Sequence, residues 1–248
     1  MLKHRIIPCI LLKDWQLVKS IQFEKFRTIG NPTTTVRVYN SRDVDELIVL
    51  DIDASAHKED INLEVIEDMA EECFMPLTIG GGIRSIDDVR DVLNAGADKI
   101  SINTKAIEDP SFITTVASTF GSQCIIVSID VITQNQEYKL YNKNLGILDL
   151  NPVTFAKECE KMGAGEILLT SVNNDGMQEG YDITLMESFI DVLSIPLIIN
   201  AGAGNPEHCL EAIQKGADAI AAASIFHFTQ FTPNMIKQEL RKNHIAVR

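Results

Sequence analysis

Short runs of β-branched and aliphatic residues alternate along this chain with longer segments whose apolar positions recur at helical spacing. The strand-type runs fall at 5–10, 46–51, 76–80, 99–103, 124–130, 165–170, 196–200 and 218–222. Between them lie amphipathic stretches such as "SIDDVRDVLNAG" (85–96) and "NPEHCLEAIQKG" (205–216). Each opens on a Ser or Asn able to cap the first helical turn. Each closes on a Gly suited to the left-handed turn that ends a helix. Eight strands alternating with helices over 248 residues predict an α/β fold, a closed (β/α)8 TIM barrel forming a single domain over 1–248. A doubly wound open sheet is the alternative.

The pattern repeats internally, which favours the barrel. At an offset of 120 residues, "PLTIGGGIRSIDDVRDVLNAGADKISINTKAI" (76–107) lies on "PLIINAGAGNPEHCLEAIQKGADAIAAASIFH" (196–227) without a gap, with eight of 32 pairs identical. The same offset sets Glu46 on Glu166. An offset of 119 sets Ile6, Ile7, Ile10 and Leu11 on Ile125, Ile126, Ile129 and Asp130. The chain therefore reads as two similar half-barrels, suited to a ligand with two similar ends.

Composition narrows the partners. A net charge of −13 disfavours nucleic acid and anionic membrane surfaces. It leaves open a phosphorylated small molecule, because backbone N–H groups bind phosphate whatever the global charge. Five cysteines without C-x-x-C spacing read as free thiols in a reducing compartment, with neither a metal site nor a cofactor implied. The first apolar run, about seven residues with Pro8 inside it, is too short for a signal peptide. The expected location is the cytoplasm.

In such barrels the chemistry lies at the carboxyl ends of the strands. Gly-rich turns there, leading into helix starts, occur twice at one offset. "GGG" (80–82) is followed by Asn103 and Thr104, and "NAGAG" (200–204) by Ala223 and Ser224, with Asp175-Gly176 adding a further turn. Two anion sites across one mouth are the functional reading; tight βα turns alone are the structural one. Asp51, Asp53 and Asp130 stand at strand ends, and Asp130 is the candidate general acid or base. The other readings of Asp130 are a loop cap or a partner for Lys19. The 13–35 stretch, with Lys19, Lys25 and Arg27, reads as a polar loop that either closes over an anionic ligand or is solvated surface. The histidines, His4, His57, His208, His227 and His244, form no constellation, and His227 between two phenylalanines is expected to pack.

At the opposite end Arg5, Glu46, Lys99 and Glu166 each open an apolar strand, with signs alternating along the chain. Four such groups on a barrel floor must largely pair. A salt-bridged plug and a gate for a small neutral molecule are both open readings.

These features together resemble the cyclase subunit of imidazole glycerol phosphate synthase, a (β/α)8 barrel of histidine biosynthesis. The resemblance spans essentially the whole chain through "RIIPC", "VDELIVLDI", "PLTIGGGIRS", "AGADKISINT", "FGSQCIIVSID", "GAGEILLTS", "DGMQEGYD" and "AASIFHF". It implies an ammonia gate formed by Arg5, Glu46, Lys99 and Glu166, with a glutaminase subunit docked on that face as a heterodimer and Asp98 at the interface. It implies that Gly82, Asn103 and Thr104 hold one phosphate, and that Asp175, Gly176, Gly202, Ala223 and Ser224 surround the other, with Lys19 nearby. Asp130 matches one of the family's two catalytic carboxylates.

The other carboxylate position is Leu11, which neither accepts nor donates a proton. Asn200 replaces a small hydroxyl residue, Ala201 one glycine of a pair, Trp15 and Gln16 a Gly-Arg start, and "YNKNLGIL" a more polar loop. These departures cluster at the substrate face, and the four gate positions are kept. That combination resembles a paralogous branch in surface-polysaccharide pathways. There the barrel and its glutaminase supply ammonia to a separate amidotransferase that turns an acetamido sugar into an acetamidino sugar. The alternatives are an ordinary histidine-pathway cyclase, and a non-catalytic scaffold or activator of a glutaminase.

Overall fold

All eight expected runs become staves of a closed parallel barrel. The computed structural model describes residues 3–42, 44–54 and 61–248. The staves are β1 (Arg5–Lys13), β4 (Leu47–Asp51), β5 (Leu77–Gly80), β6 (Lys99–Ile102), β7 (Ile125–Gln134), β10 (Glu166–Ser171), β11 (Leu197–Asn200) and β12 (Ala219–Ala222). Each pairs with the next in that order, and β12 pairs with β1 to close the ring. Four more strands, β2 (Gln16–Ile21), β3 (Lys25–Gly30), β8 (Glu137–Asn142) and β9 (Gly146–Leu148), extend β1 and β7 as antiparallel hairpins.

Among the described residues the α-helices are α1 (Pro32–Asn40), α2 (Leu63–Glu71), α3 (Ile86–Asn94), α4 (Thr104–Glu108), α5 (Ser111–Phe120), α6 (Pro152–Met162), α7 (Ile183–Ile190), α8 (Pro206–Gln214), α9 (Ser224–Phe228) and α10 (Pro233–Lys242). The caps expected of α3 and α8 are present. Ser85 accepts from the Asp88 N–H and Asp88 returns a bond to the Ser85 N–H, a reciprocal capping box. Asn205 accepts from the His208 N–H at 2.9 Å. Gly96 and Gly216, just past the two C-caps, take φ of 107° and 112°. None of these helices is long and apolar enough to cross a membrane.

Alternation along the staves sorts two apolar sets. Ile6, Ile10 and Leu12 of β1, with Ile125, Val127 and Ile129 of β7, face outward into the core shared with the helices. Ile7, Cys9 and Leu11, with Ile48, Ile126, Leu168, Ile198, Ala219 and Ala221, fill the barrel interior. The interior therefore carries apolar side chains between the barrel floor and the mouth.

The structure corrects the reading of 13–35 as a loop. β1 continues to Lys13, turns through Asp14 and Trp15 at φ 48° and 59°, and returns as β2. The second half repeats this device: Asn135 and Gln136, at φ 51° and 65°, join β7 to β8. Two-residue hairpin turns of this hand normally carry Gly, Asn or Asp, so "DW" and "NQ" give only half the usual signal. Asp130 likewise does not end its strand, which runs on to Gln134.

Candidate active site and barrel floor

A cavity of about 440 Å³ opens at the carboxyl end of the barrel. Its walls bring together the residues expected to bind substrate or move protons, Lys19, Gly82, Asn103, Thr104, Asp130, Asp175, Gly176, Gly202, Ala223 and Ser224, and also Asn200 and Ala201. Trp15 and Gln16, expected at the same face, do not line it. Leu11 lines the same cavity. The walls are unequal. Leu11, Leu50, Ile52 and Phe26 make an apolar side, while Ser128, Asp130, Asn103, Asn142, Thr170 and Asn200 line it with polar groups.

Asp130 accepts a 2.7 Å hydrogen bond from Asn103 Nδ2. Burial pushes its carboxyl up to about 7, with Asp175 adding to the rise and the hydrogen-bonding side chains of Asn103, Thr170 and Ser128 opposing it. A carboxyl titrating near neutrality is matched to proton transfer in either direction. Lys19 is not its partner. It reaches Asp175 Oδ1 at 2.8 Å in a buried pair, and Ser20 donates to the other oxygen at 2.5 Å. This pair, with the Gln22 side chain on the Asn173 carbonyl at 2.9 Å, ties the β2–β3 hairpin to the loop after β10. Phe23 at the hairpin tip meets Tyr141 of β8, ring centroids 6.2 Å apart. The hairpin thus spans from the first half of the barrel to the second.

The two Gly-rich turns keep the repeat in their backbones. Gly81 and Gly82 take φ of 102° and 75°, and Ala201 and Gly202 take 76° and 108°. A Cβ on Gly202 would sit 2.0 Å from the Gly180 carbonyl oxygen, which requires glycine there. Ala201 holds the left-handed conformation with a side chain in place. The Asn103 side chain is engaged with Asp130 and with Asn142, whose Nδ2 donates to Asn103 Oδ1 at 2.8 Å and to Thr104 Oγ1 at 3.0 Å. Around the rim, Asp53 bridges Lys13 at 2.9 Å and Lys143 at 2.6 Å, and both ammonium groups lie about 5 Å from the centre of the Phe26 ring. Asn142 and Lys143 fall in "YNKNLGIL", a stretch the sequence marked as a departing loop without assigning either residue a role; the β8–β9 hairpin carries both to the mouth.

At the floor the four strand-opening charges close into one ring. Arg5 donates to Glu46 Oε1 at 3.0 Å and to Glu166 Oε2 at 2.6 Å. Lys99 completes the circuit to Glu46 Oε2 at 3.0 Å and Glu166 Oε1 at 2.5 Å. Burial alone would raise the Glu166 carboxyl, but the hydrogen bonds and charges of Arg5 and Lys99 outweigh it and hold it below the usual range. Arg248, which sequence reasoning missed, adds a fifth charge on Glu46 Oε1 at 3.2 Å. Asp98 also caps the fold internally: its carboxylate accepts from the Leu77 N–H at 2.8 Å, as Asp218 does from Leu197 at 2.9 Å in the other half.

Other candidates fall away. His227 packs edge-on against Tyr39 and beside Phe228. Burial, with the charges of Lys19 and Arg42, holds its imidazole down at about 4. Burial pushes the Cys9 thiol up to about 12, so it stays protonated at neutral pH. His57 lies outside the described residues.

The family described as histidine biosynthesis protein matches residues 5–232. The chain belongs to that family. Within it, the chain is a HisF-type subunit of the imidazole glycerol phosphate synthase kind. It is 45% identical over its full length to the HisF subunit of imidazole glycerol phosphate synthase from Leptospira biflexa, covering 98% of that protein. Two other relatives carry the provisional name imidazole glycerol phosphate synthase subunit hisF2. That of Campylobacter jejuni is 55% identical, with all of this chain and 99% of the relative aligned. That of Vibrio vulnificus is 45% identical, with all of this chain and 92% of the relative aligned.

Proposed function

We infer that this HisF-type barrel accepts ammonia from a glutaminase docked on its Arg5/Glu46/Lys99/Glu166 face, with Asp98 at the rim of the contact. It supplies that ammonia for the acetamidino modification of a surface-polysaccharide sugar. The observation that carries this reading is the asymmetry of the mouth: Leu11 stands inward where a carboxylate would complete the proton-transfer pair, while the floor ring is complete. Ammonia is small and neutral, so it passes an apolar interior that would strongly disfavour ammonium. Ring opening needs only a shift of Lys99 or Arg5 away from a shared carboxylate.

Gly82, Asn103 and Thr104 on one side, and Asp175, Gly176, Gly202, Ala223 and Ser224 on the other with Lys19 beside Asp175, are the proposed contacts for a phosphorylated small molecule. The resemblance to the hisF2 subunits is consistent with a branch distinct from the histidine pathway. The observation favouring the second reading, a histidine-pathway cyclase, is Asp130 itself, a buried carboxyl poised near neutrality. A pure scaffold for the glutaminase is disfavoured, because it has no use for such a group.

Disrupting the gene in the source organism and analysing its surface sugars by mass spectrometry separates these readings. Loss of acetamidino sugars with growth unchanged on medium lacking histidine supports the leading reading. Histidine auxotrophy with normal surface sugars contradicts it and supports the second.

A further inference from the structure

The hairpin tip that closes over the mouth fixes the polarity of the amide next to Asp130. Asn142, at the end of β8, is buried, and all its hydrogen-bonding capacity is used. Its Oδ1 accepts from two backbone N–H groups of the tip, Asn144 at 2.9 Å and Leu145 at 3.0 Å. Backbone N–H groups only donate, so that end of the Asn142 amide must be oxygen and the other end nitrogen. The nitrogen then faces Asn103, which must present its oxygen to it at 2.8 Å. The Asn103 nitrogen is thereby turned onto Asp130 Oδ2 at 2.7 Å. Which way an amide points is usually a matter of assignment; here a chain of donors beginning at the backbone dictates it.

We propose that Asn142 is a positioning residue: anchored by the N–H groups of the β8–β9 tip, it forces Asn103 to donate to Asp130 and so sets the carboxyl that exchanges protons in the mouth. The role of Asp130 rests on the reading given above; the relay itself does not. Other groups facing Asp130 are Asp175, paired with Lys19, the Cys9 thiol, Tyr141 opposite it on β8, and the hydroxyls of Ser128 and Thr170. Asn142 differs from them in acting through a second side chain. The tip that anchors it is held by Lys143 on Asp53 at 2.6 Å, so its seat depends on a residue from the first half of the barrel.

The test is the pKa of Asp130, read by carbon NMR of the full chain labelled at aspartate carboxyls, with no substrate present and Asp130→Asn giving the assignment. Asn142→Asp preserves the shape but offers oxygen to Asn103, whose amide then turns its own oxygen towards Asp130. A rise of about one pH unit or more is expected, as a carboxylate loses its charge-assisted donor. Repeating the substitution in an Asn103→Ala background isolates the added charge, and the rise there must be smaller. Equal rises in both backgrounds would overturn the relay.

Asn142→Ala is the second variant. The relay predicts a smaller rise, whereas a hairpin that merely loosened would admit water and lower the pKa. A fall, or no change, would also overturn the proposal. A confirmed relay in a protein whose activity is insensitive to Asp130→Asn would leave Asn142 in place and remove the functional reading instead.

Discussion

Leu11 on β1 and Asp130 on β7 hold the same inward position in the two halves of the barrel, 119 residues apart in the chain. Each pairs with the first strand of a hairpin, Leu11 with Val18 and Asp130 with Tyr141, and both line the mouth cavity. The symmetry of the backbone is kept and the symmetry of the chemistry is not. One half offers a carboxyl poised near neutrality, the other an apolar wall.

Asp130 carries a cost to stability whose sign follows from its raised pKa. The folded state holds its proton more tightly than the unfolded chain, so stability falls as pH rises from the ordinary carboxylate range through about 7. Asp130→Asn is expected to be more stable than the parent by about 2–4 kcal/mol at pH 8. The difference should close towards pH 4. Urea denaturation at the two pH values checks this.

The Lys19–Asp175 pair anchors the β2–β3 hairpin. Lys19→Ala leaves a buried carboxylate without its cation, expected to cost about 3–5 kcal/mol. Lys19→Ala together with Asp175→Ala should cost less than the two changes added, because each single change strands the other partner. Urea midpoints of the three variants measure the coupling.

Acid dependence should separate floor from mouth. The Glu166 carboxyl is held below its unfolded value. Its contribution is therefore complete above the ordinary glutamate range and is lost as pH falls through the depressed value. Glu166→Gln is expected to destabilise by about 1–3 kcal/mol at pH 7 and by progressively less in acid. Thermal melts of parent and variant across pH 3 to 7 test the sign, which is opposite to that for Asp130→Asn.

Much of this was legible because it depends on local pattern. Apolar runs marked all eight staves, Ser85 and Asn205 marked helix starts, and the repeat, at an offset of 119 for the first strand, set Leu11 on Asp130. The four floor charges were legible because each opens a stave or, for Glu46, immediately precedes one. What was not legible depends on chain reversal. The turns at Asp14-Trp15 and Asn135-Gln136 lack the glycine that usually announces a hairpin, so two strand pairs read as loops. With them went Asn142, Lys143 and the burial of Lys19. Arg248 joins the ring only because the tail returns to His4, where the Arg248 N–H donates to the His4 carbonyl at 3.1 Å, a pairing between distant segments without a local signature.

The floor ring should matter to glutamine-derived ammonia and not to ammonia supplied in solution. With the glutaminase present, Lys99→Ala is expected to alter how much of the ammonia released from glutamine reaches product, leaving use of added ammonium salt unchanged. Parallel assays with the two nitrogen sources check this. Unaltered coupling would make the ring a structural plug.

The most direct test of the account is turnover of the histidine-pathway bisphosphate substrate to imidazole product, with ammonium salt at high pH, by the parent chain and by Leu11→Asp. On the proposed reading, in which Leu11 stands where a second acid/base group would act, the parent is expected to fall short of an authentic cyclase by about 10²- to 10⁴-fold. Leu11→Asp is expected to recover part of that deficit if the mouth is otherwise intact. Parent turnover matching an authentic cyclase would contradict the account and return this chain to histidine synthesis.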